Sequence, residues 1–194
     1  MRETIFQTDW GWVGLAATDR GVAAVVLPRL TRRAVERELR TLLNGNSTPT
    51  HPSGAPVALR SATGHEGEGE GGGRSRSASR HLLQARSAVA GYLEGRTRVF
   101  NLPLDLQGKP RFCVKVWKVL QSIPYGRVRS YGWVARKVGK PRAARAVGGA
   151  CGANPVPLLV PCHRVIAGDG SLGGFSGGVG VKKRLLRLEG LTPQ

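Results

Sequence analysis

Residues 130–166 read SYGWVARKVGKPRAARAVGGACGANPVPLLVPCHRVI, and the fold turns on how this stretch divides. Ser130 suits the N-cap of a helix over residues 131–138. Gly139-Lys140 turns, and Pro141, at a first helical turn, opens a second helix from Arg142 to about Cys151. Helix, short glycine-containing turn, helix is a helix-turn-helix pattern. The second helix is almost without bulk. Ala143, Ala144, Ala146, Gly148, Gly149 and Ala150 leave Arg142 and Arg145 as the large side chains of its first turns. Helices that read the major groove carry several long polar side chains for base edges. A helix this slim suits the narrower minor groove; tight packing against another helix is the competing explanation.

Beyond that helix, Gly152-Ala153-Asn154-Pro155 leads into Val156-Pro157-Leu158-Leu159-Val160, which reads as a strand. It delivers Pro161-Cys162-His163-Arg164-Val165 to the edge of a core, ahead of a glycine-rich stretch over residues 168–178. Glycines there let backbone approach whatever occupies the site. The thiolate is the reactive form of cysteine and needs help near neutral pH. A neighbouring imidazole and guanidinium, here His163 and Arg164, are groups able to supply it. Adjacent residues point different ways, so a bridging water would carry the proton between Cys162 and His163.

The flanks extend this half. Residues 112–122 form an amphipathic helix with Phe112, Val116, Val119 and Leu120 inward. Residues 181–189 form a short helix packed through Leu185, Leu186 and Leu188. Glu189 and Asp169 are the only acids after Lys109, so Glu189 has few rivals as a partner for His163; a solvated helix end is the plainer alternative.

The first half is different in kind. Apolar runs at residues 4–7, 12–16 and 22–27, separated by Asp9-Trp10-Gly11 and Thr18-Asp19-Arg20-Gly21, read as an antiparallel β meander. Thr31 caps a helix that runs to Leu43 and stops at Asn44-Gly45. Residues 44–80, rich in Gly, Ser, Pro and Glu, read as a mobile insertion that cannot bury enough apolar surface to order itself. Helical period returns over residues 81–94, with Leu82, Leu83, Ala85, Val89 and Leu93 on one side. Residues 99–104 are extended, and Gln107-Gly108-Lys109-Pro110 marks a boundary between halves.

The net charge of +18 points to a polyanionic partner. From Lys109 onward there are 16 Lys and Arg against two acids, so +14 of it sits on the half that contains Cys162. The three cysteines are an odd number with no close pairing, which argues against a disulfide framework and for a reducing cytoplasm. Cys113 and Cys151 have no histidine neighbour and read as structural. No metal is expected: paired-cysteine zinc spacing is missing, and His51 and His65 fall in the low-complexity stretch. Neither a secretory signal nor a membrane span is expected.

Three ordered blocks now carry a resemblance: FCVKVWKVLQSIPYGRVRS at residues 112–130, the stretch quoted first, and SLGGFSGGVGVKKRLLRLEG at residues 171–190. Together they resemble the O6-alkylguanine-DNA alkyltransferases, or methylated-DNA–protein-cysteine methyltransferases, over nearly all of residues 109–190. The first hundred residues are similar only near Trp12-Val13-Gly14-Leu15 and Leu93-Glu94-Gly95-Arg96, and the 44–80 insertion departs from the family.

The resemblance implies an α+β protein. A small RNase H-like α/β domain with the β meander would occupy residues 1–103, and a mainly helical domain with the helix-turn-helix residues 104–194. It implies a protein that binds double-stranded DNA from the minor groove without cofactor; a monomer without membrane attachment is expected because the sequence shows no dimerisation stretch and no long apolar run. It would flip an O6-alkylguanine out of the stack and take the alkyl group onto Cys162 in a single, self-inactivating turnover. O4-alkylthymine is a further candidate substrate. By the same resemblance His163 is the base acting through water, Glu189 its orienter and Asn154 the hinge that ties the turn before the cysteine. Tyr131 would stabilise the departing guanine and touch the DNA backbone. Arg145 would fill the gap in the stack, with Arg142, Ser130, Ala144 and Gly148 also at the DNA. Val165, Phe175, Ser176 and Cys162 would line the base pocket, Val165 and Cys162 through their carbonyls and Ser176 through its N–H. Phe175 stands where many relatives carry tyrosine, so a hydroxyl contact to the leaving base is lost. Two other functions compete. A non-catalytic binder of alkylated DNA would share the fold without an activated thiol. A sequence-specific regulator would need long polar side chains on residues 142–151.

Overall fold

The computed structural model describes residues 1–44 and 71–192. Three strands, β1 (Arg2–Thr8), β2 (Gly11–Ala17) and β3 (Val22–Arg29), form an antiparallel sheet in chain order, as the alternating runs and their turns require. Successive side chains of a strand face opposite ways, and helices cover both faces. Ala16, Ala24 and Val26 meet Val35 and Leu39 of α1 (Arg32–Leu43), whose N-cap Thr31 accepts a hydrogen bond from the Ala34 N–H. Val13, Leu15, Val25 and Leu27 face α2 (Gly71–Leu93) through Leu82, Ala85 and Val89.

Helix α2 corrects the sequence reading in two ways. It starts at Gly71 rather than residue 81, and Ala78 extends the buried stripe of Leu82, Ala85 and Val89 back by one turn. Leu83, expected inside, is 67% exposed: it follows Leu82 directly and so lies off that stripe. The rest of the expected insertion, with His51 and His65, lies outside the described residues.

The chain then runs extended to a clamp. Leu104 bridges Val22, and the Asp105 carboxylate accepts from the Thr18 hydroxyl and the Arg20 guanidinium. Helices α3 (Arg111–Gln121), α4 (Tyr131–Lys137) and α5 (Ala144–Gly152) follow and pack on one another. Ser130 caps α4, accepting from the Trp133 N–H. Pro141 does not open α5 as expected. It sits in the preceding turn, and Ala143, with φ −93° and ψ 25°, is the capping residue. Trp117, passed over in the sequence, lies buried between helices, and its Nε1 donates to the Ala150 carbonyl across 2.8 Å.

Val156-Pro157-Leu158-Leu159-Val160 is not a strand. Pro157 inside it, like Pro155 and Pro161 just outside, has no N–H to give a ladder, and it folds as a buried turn with Pro157 bridged to Val160 and Leu158 left-handed at φ 73°. A 3-10 turn, Cys162–Arg164, follows; then β5 (Val165–Ile166) pairs in parallel with β4 (Arg129–Ser130), and α6 (Val179–Leu188) closes the chain. One apolar cluster runs from the sheet through α2 and α3–α5 to Cys162. Among the described residues no helix is long and apolar enough to cross a membrane.

Candidate active site

Cys162 opens the 3-10 turn, 3% exposed, where the buried turn of residues 156–160 leaves it. Asn154 ties that turn shut. Its Oδ1 accepts from the Val156 N–H, and its Nδ2 donates to the Val160 carbonyl at 2.8 Å and to Cys162 Sγ at 3.2 Å. Burial pushes the thiol's pKa up; the Asn154 hydrogen bond and the charge of Lys182 pull it down.

His163 is fully buried beside it. Its Nε2 lies 2.8 Å from Glu189 Oε1, while Nδ1 has no hydrogen-bond partner among the described residues. Burial lowers the pKa of the imidazole against the pull of Glu189. Glu189, at the end of α6, is no solvated helix end. It accepts from Arg164, from the N–H of Gly126 at 2.8 Å and from the Tyr92 hydroxyl at 2.5 Å. Gly126 reaches that geometry at φ 71°, where a side chain would strain the backbone. Burial would raise the carboxyl, but His163, Arg164 and Tyr92 together hold it at about 2.

The expectation that Arg164 would assist the thiol is corrected. Its guanidinium turns to Glu189 and to the Ile123 carbonyl, 2.7 Å away, because a buried arginine needs a carboxylate and carbonyls around its planar fork. The cation coupled to the sulfur is instead Lys182 of α6, which has no exposed surface. Its Nζ donates to the carbonyls of Val165, at 2.6 Å, and Leu172. Burial brings this lysine down to about 8, while the sulfurs of Cys162 and Cys151 act in the opposite sense.

Around the thiol, burial and the two cysteines push the Tyr131 phenol up to about 12. A Cβ on Gly173, at φ 65°, would stand 3.0 Å from the Tyr131 hydroxyl, so the glycine-rich loop closes tightly on this ring. The Phe175 ring meets His163 edge-on with centroids 6.5 Å apart. Val165 is buried and already holds Lys182 on its carbonyl; the Cys162 carbonyl accepts from the Val165 N–H. Ser176 lies exposed on the loop. On α5, Arg145 is exposed, Arg142 is exposed just before it, and Ala144 and Gly148 are half-buried. Gly148 lies beside Tyr131, so the open face of α5 adjoins the thiol site. Cys113 and Cys151 are free, and burial pushes both thiols up. Among the described residues no group of three His, Cys, Asp or Glu side chains is placed to hold a metal.

Sequence reasoning missed Tyr92 and Lys182. One sat in an apolar helical stripe, the other in the basic run Lys182-Lys183-Arg184, and nothing nearby in sequence distinguishes either.

Residues 111–191 match the family model described as 6-O-methylguanine DNA methyltransferase, DNA binding domain. A methylated-DNA–protein-cysteine methyltransferase of Mycolicibacterium paratuberculosis is 50% identical over 101 residues, 52% of this chain and 61% of that one. One from Methanosarcina acetivorans is 43% identical over 107 residues, 55% of this chain and 68% of that one. The chain thus spans about three-fifths of the length of the first of these relatives. Among solved structures, a Mycobacterium tuberculosis O6-methylguanine methyltransferase superposes with a TM-score of 0.65 at 30% identity, over 97% of this chain and 92% of that one. A structure of Mycobacterium tuberculosis OGT in complex with DNA superposes with a TM-score of 0.67 at 29% identity, over the same shares of the two chains. Likeness over nearly the full length, together with the match across the thiol-bearing half, makes this chain a member of the O6-methylguanine-DNA methyltransferase family.

Proposed function

We propose that the protein repairs DNA by direct reversal, moving the alkyl group of an O6-alkylguanine in double-stranded DNA onto Cys162. The observation that carries this is the buried thiol held by Asn154, beside a histidine whose one ring nitrogen leans on Glu189 while the other has no partner among the described residues. The sulfur attacks the alkyl carbon, an S–C bond forms, and the C–O6 bond breaks with its electron pair left on the guanine. The Cys162 proton passes by way of water and His163 Nδ1 and ends on the departing base, with the Tyr131 hydroxyl stabilising the charge. The thioether has no exit in this site, so each molecule acts once.

A base inside an intact stack cannot reach a sulfur 3% exposed, which supports extrusion of the guanine. The small-residue face of α5 supports approach from the minor groove, with Arg145 entering the stack and Arg142 and Ser130 at the phosphates. A monomer with a DNA-binding, alkyl-accepting half from residue 104 onward is the working unit. Three free cysteines suit a reducing cytoplasm.

Intact mass and peptide mapping test this after incubation with duplex carrying O6-methylguanine. One methyl per chain on Cys162, and none in Cys162→Ala, is the expected result. Duplex binding with no gain in mass would replace this reading with the non-catalytic damage binder.

The product should be less stable than the free thiol. A methyl on Sγ overpacks a close-packed site at a cost of about 1–3 kcal/mol, and it weakens the sulfur as acceptor for Asn154. Calorimetry before and after methylation should show Tm lowered by roughly 2–12 °C; an unchanged or higher midpoint would reject overpacking.

A further inference from the structure

Tyr92 lies outside residues 111–191, the segment the family model matches, yet its hydroxyl reaches the centre of the site. The ring is fully buried near the end of α2, tilted against Phe100 at 5.3 Å between centroids and edge-on to Tyr125 at 6.1 Å. Its Oη donates to Glu189 Oε1 at 2.5 Å and lies 3.1 Å from His163 Nε2.

These distances fix the protons. A neutral phenol has one hydrogen to donate, and here it goes to Glu189. Tyr92 Oη can then only accept from the imidazole. His163 Nε2 therefore faces two acceptors and carries the hydrogen, which leaves the lone pair on Nδ1. The phenol also competes with the imidazole for one carboxylate oxygen. A donor on that oxygen draws off negative charge that would otherwise stabilise an imidazolium.

We propose that Tyr92 is a positioning residue of the alkyl-transfer site, setting the basicity of His163 through Glu189; this rests on the alkyl-transfer reading above. The other groups facing His163 are known. Glu189 favours its charged form; burial, Arg164 and Lys182 oppose it. Cys162 precedes it, and Phe175 presents a ring edge. Among the described residues, Tyr92 is the one side chain holding Glu189 that is supplied from before residue 111.

The test follows the ring nitrogens of His163 by NMR through a pH titration, in a Cys162→Ala background where no thiol shares the proton. Tyr92→Phe removes one donor from the carboxylate, so the His163 midpoint should move to higher pH. Tyr92→3-fluorotyrosine keeps the ring and makes the hydroxyl a stronger donor, so the midpoint should move to lower pH. Opposite displacements are the expected result, and packing alone does not produce them. Midpoints that stay in place, or move together, overturn the proposal. A wild-type protein that takes up no methyl would sink the alkyl-transfer reading and leave the two titrations to decide on Tyr92 by themselves.

Discussion

Glu189→Gln is expected to lower Tm by roughly 6–20 °C and to slow alkyl transfer by about a hundredfold or more. The stability loss comes from Arg164, which is 6% exposed and has Glu189 as its carboxylate. Breaking a buried pair by removing one partner costs about 3–5 kcal/mol, since the other charge stays buried and uncompensated. The amide also turns a donor toward atoms that now donate to a carboxylate: Tyr92 and His163 on one oxygen, the Gly126 N–H on the other, and Arg164 on both. The rate loss comes from His163, which loses the charge that orients it. Transfer measured well below the variant's own melting point separates the two effects. The pH dependence has a definite sign. Folding lowers this carboxyl from 4.5 to about 2, so its contribution of about 3 kcal/mol is complete above pH 4.5 and fades as pH falls toward 2. Acid titration of stability should show that loss in the wild type and a shallower fall in the variant over the same window, where Asp105 and Asp169 still titrate; equal slopes would remove Glu189 from the account.

Lys182→Met should make Cys162 about tenfold less reactive at pH 7, read as the rate of carbamidomethylation by iodoacetamide at that residue. The cation lies in a site that gives it two carbonyls and, among the described residues, no carboxylate. An ammonium left in that state favours a nearby anion, and the thiolate of Cys162 acts on it most strongly, ahead of Cys151. Removing the charge raises the thiol's pKa, so the variant's rate profile moves to higher pH. The two proteins should converge well above pH 8, as Lys182, whose own pKa is held down to about 8, becomes neutral. A variant that reacts like the wild type at pH 7 would show that Asn154 alone supports the sulfur. Burying an ammonium is costly, so Met should not destabilise the fold beyond the loss of two hydrogen bonds. Reactivity lost without unfolding is the signature of a charge kept for chemistry.

How much of this was legible depends on how far apart the partners lie in sequence. The helix-turn-helix, Cys162, His163 and the meander are written locally, in caps, turns and contiguous motifs. Glu189 stood out because acids are scarce in its half. Arg164 was seen beside the cysteine but given the wrong partner, since a sequence does not say which way successive side chains of a 3-10 turn point. Residues 156–160 looked like a strand by composition; Pro157 within them, with Pro155 and Pro161 on either side, was the warning against it. Tyr92 was invisible. Its apolar ring continues the inward stripe of α2, and its hydroxyl finds a partner 97 residues away. Lys182 was hidden by its neighbours, because only burial separates it from Lys183 and Arg184.

The single core that runs from the sheet through α2 to Cys162 has a consequence for how such a protein changes over generations. Halves that met across a wet, polar seam could be recombined between relatives and drift at their own pace. Here a transplanted first half must arrive with a phenol one turn past Val89, set to reach Glu189 and His163. Ancestry is shared by contact, and the two halves descend as a pair.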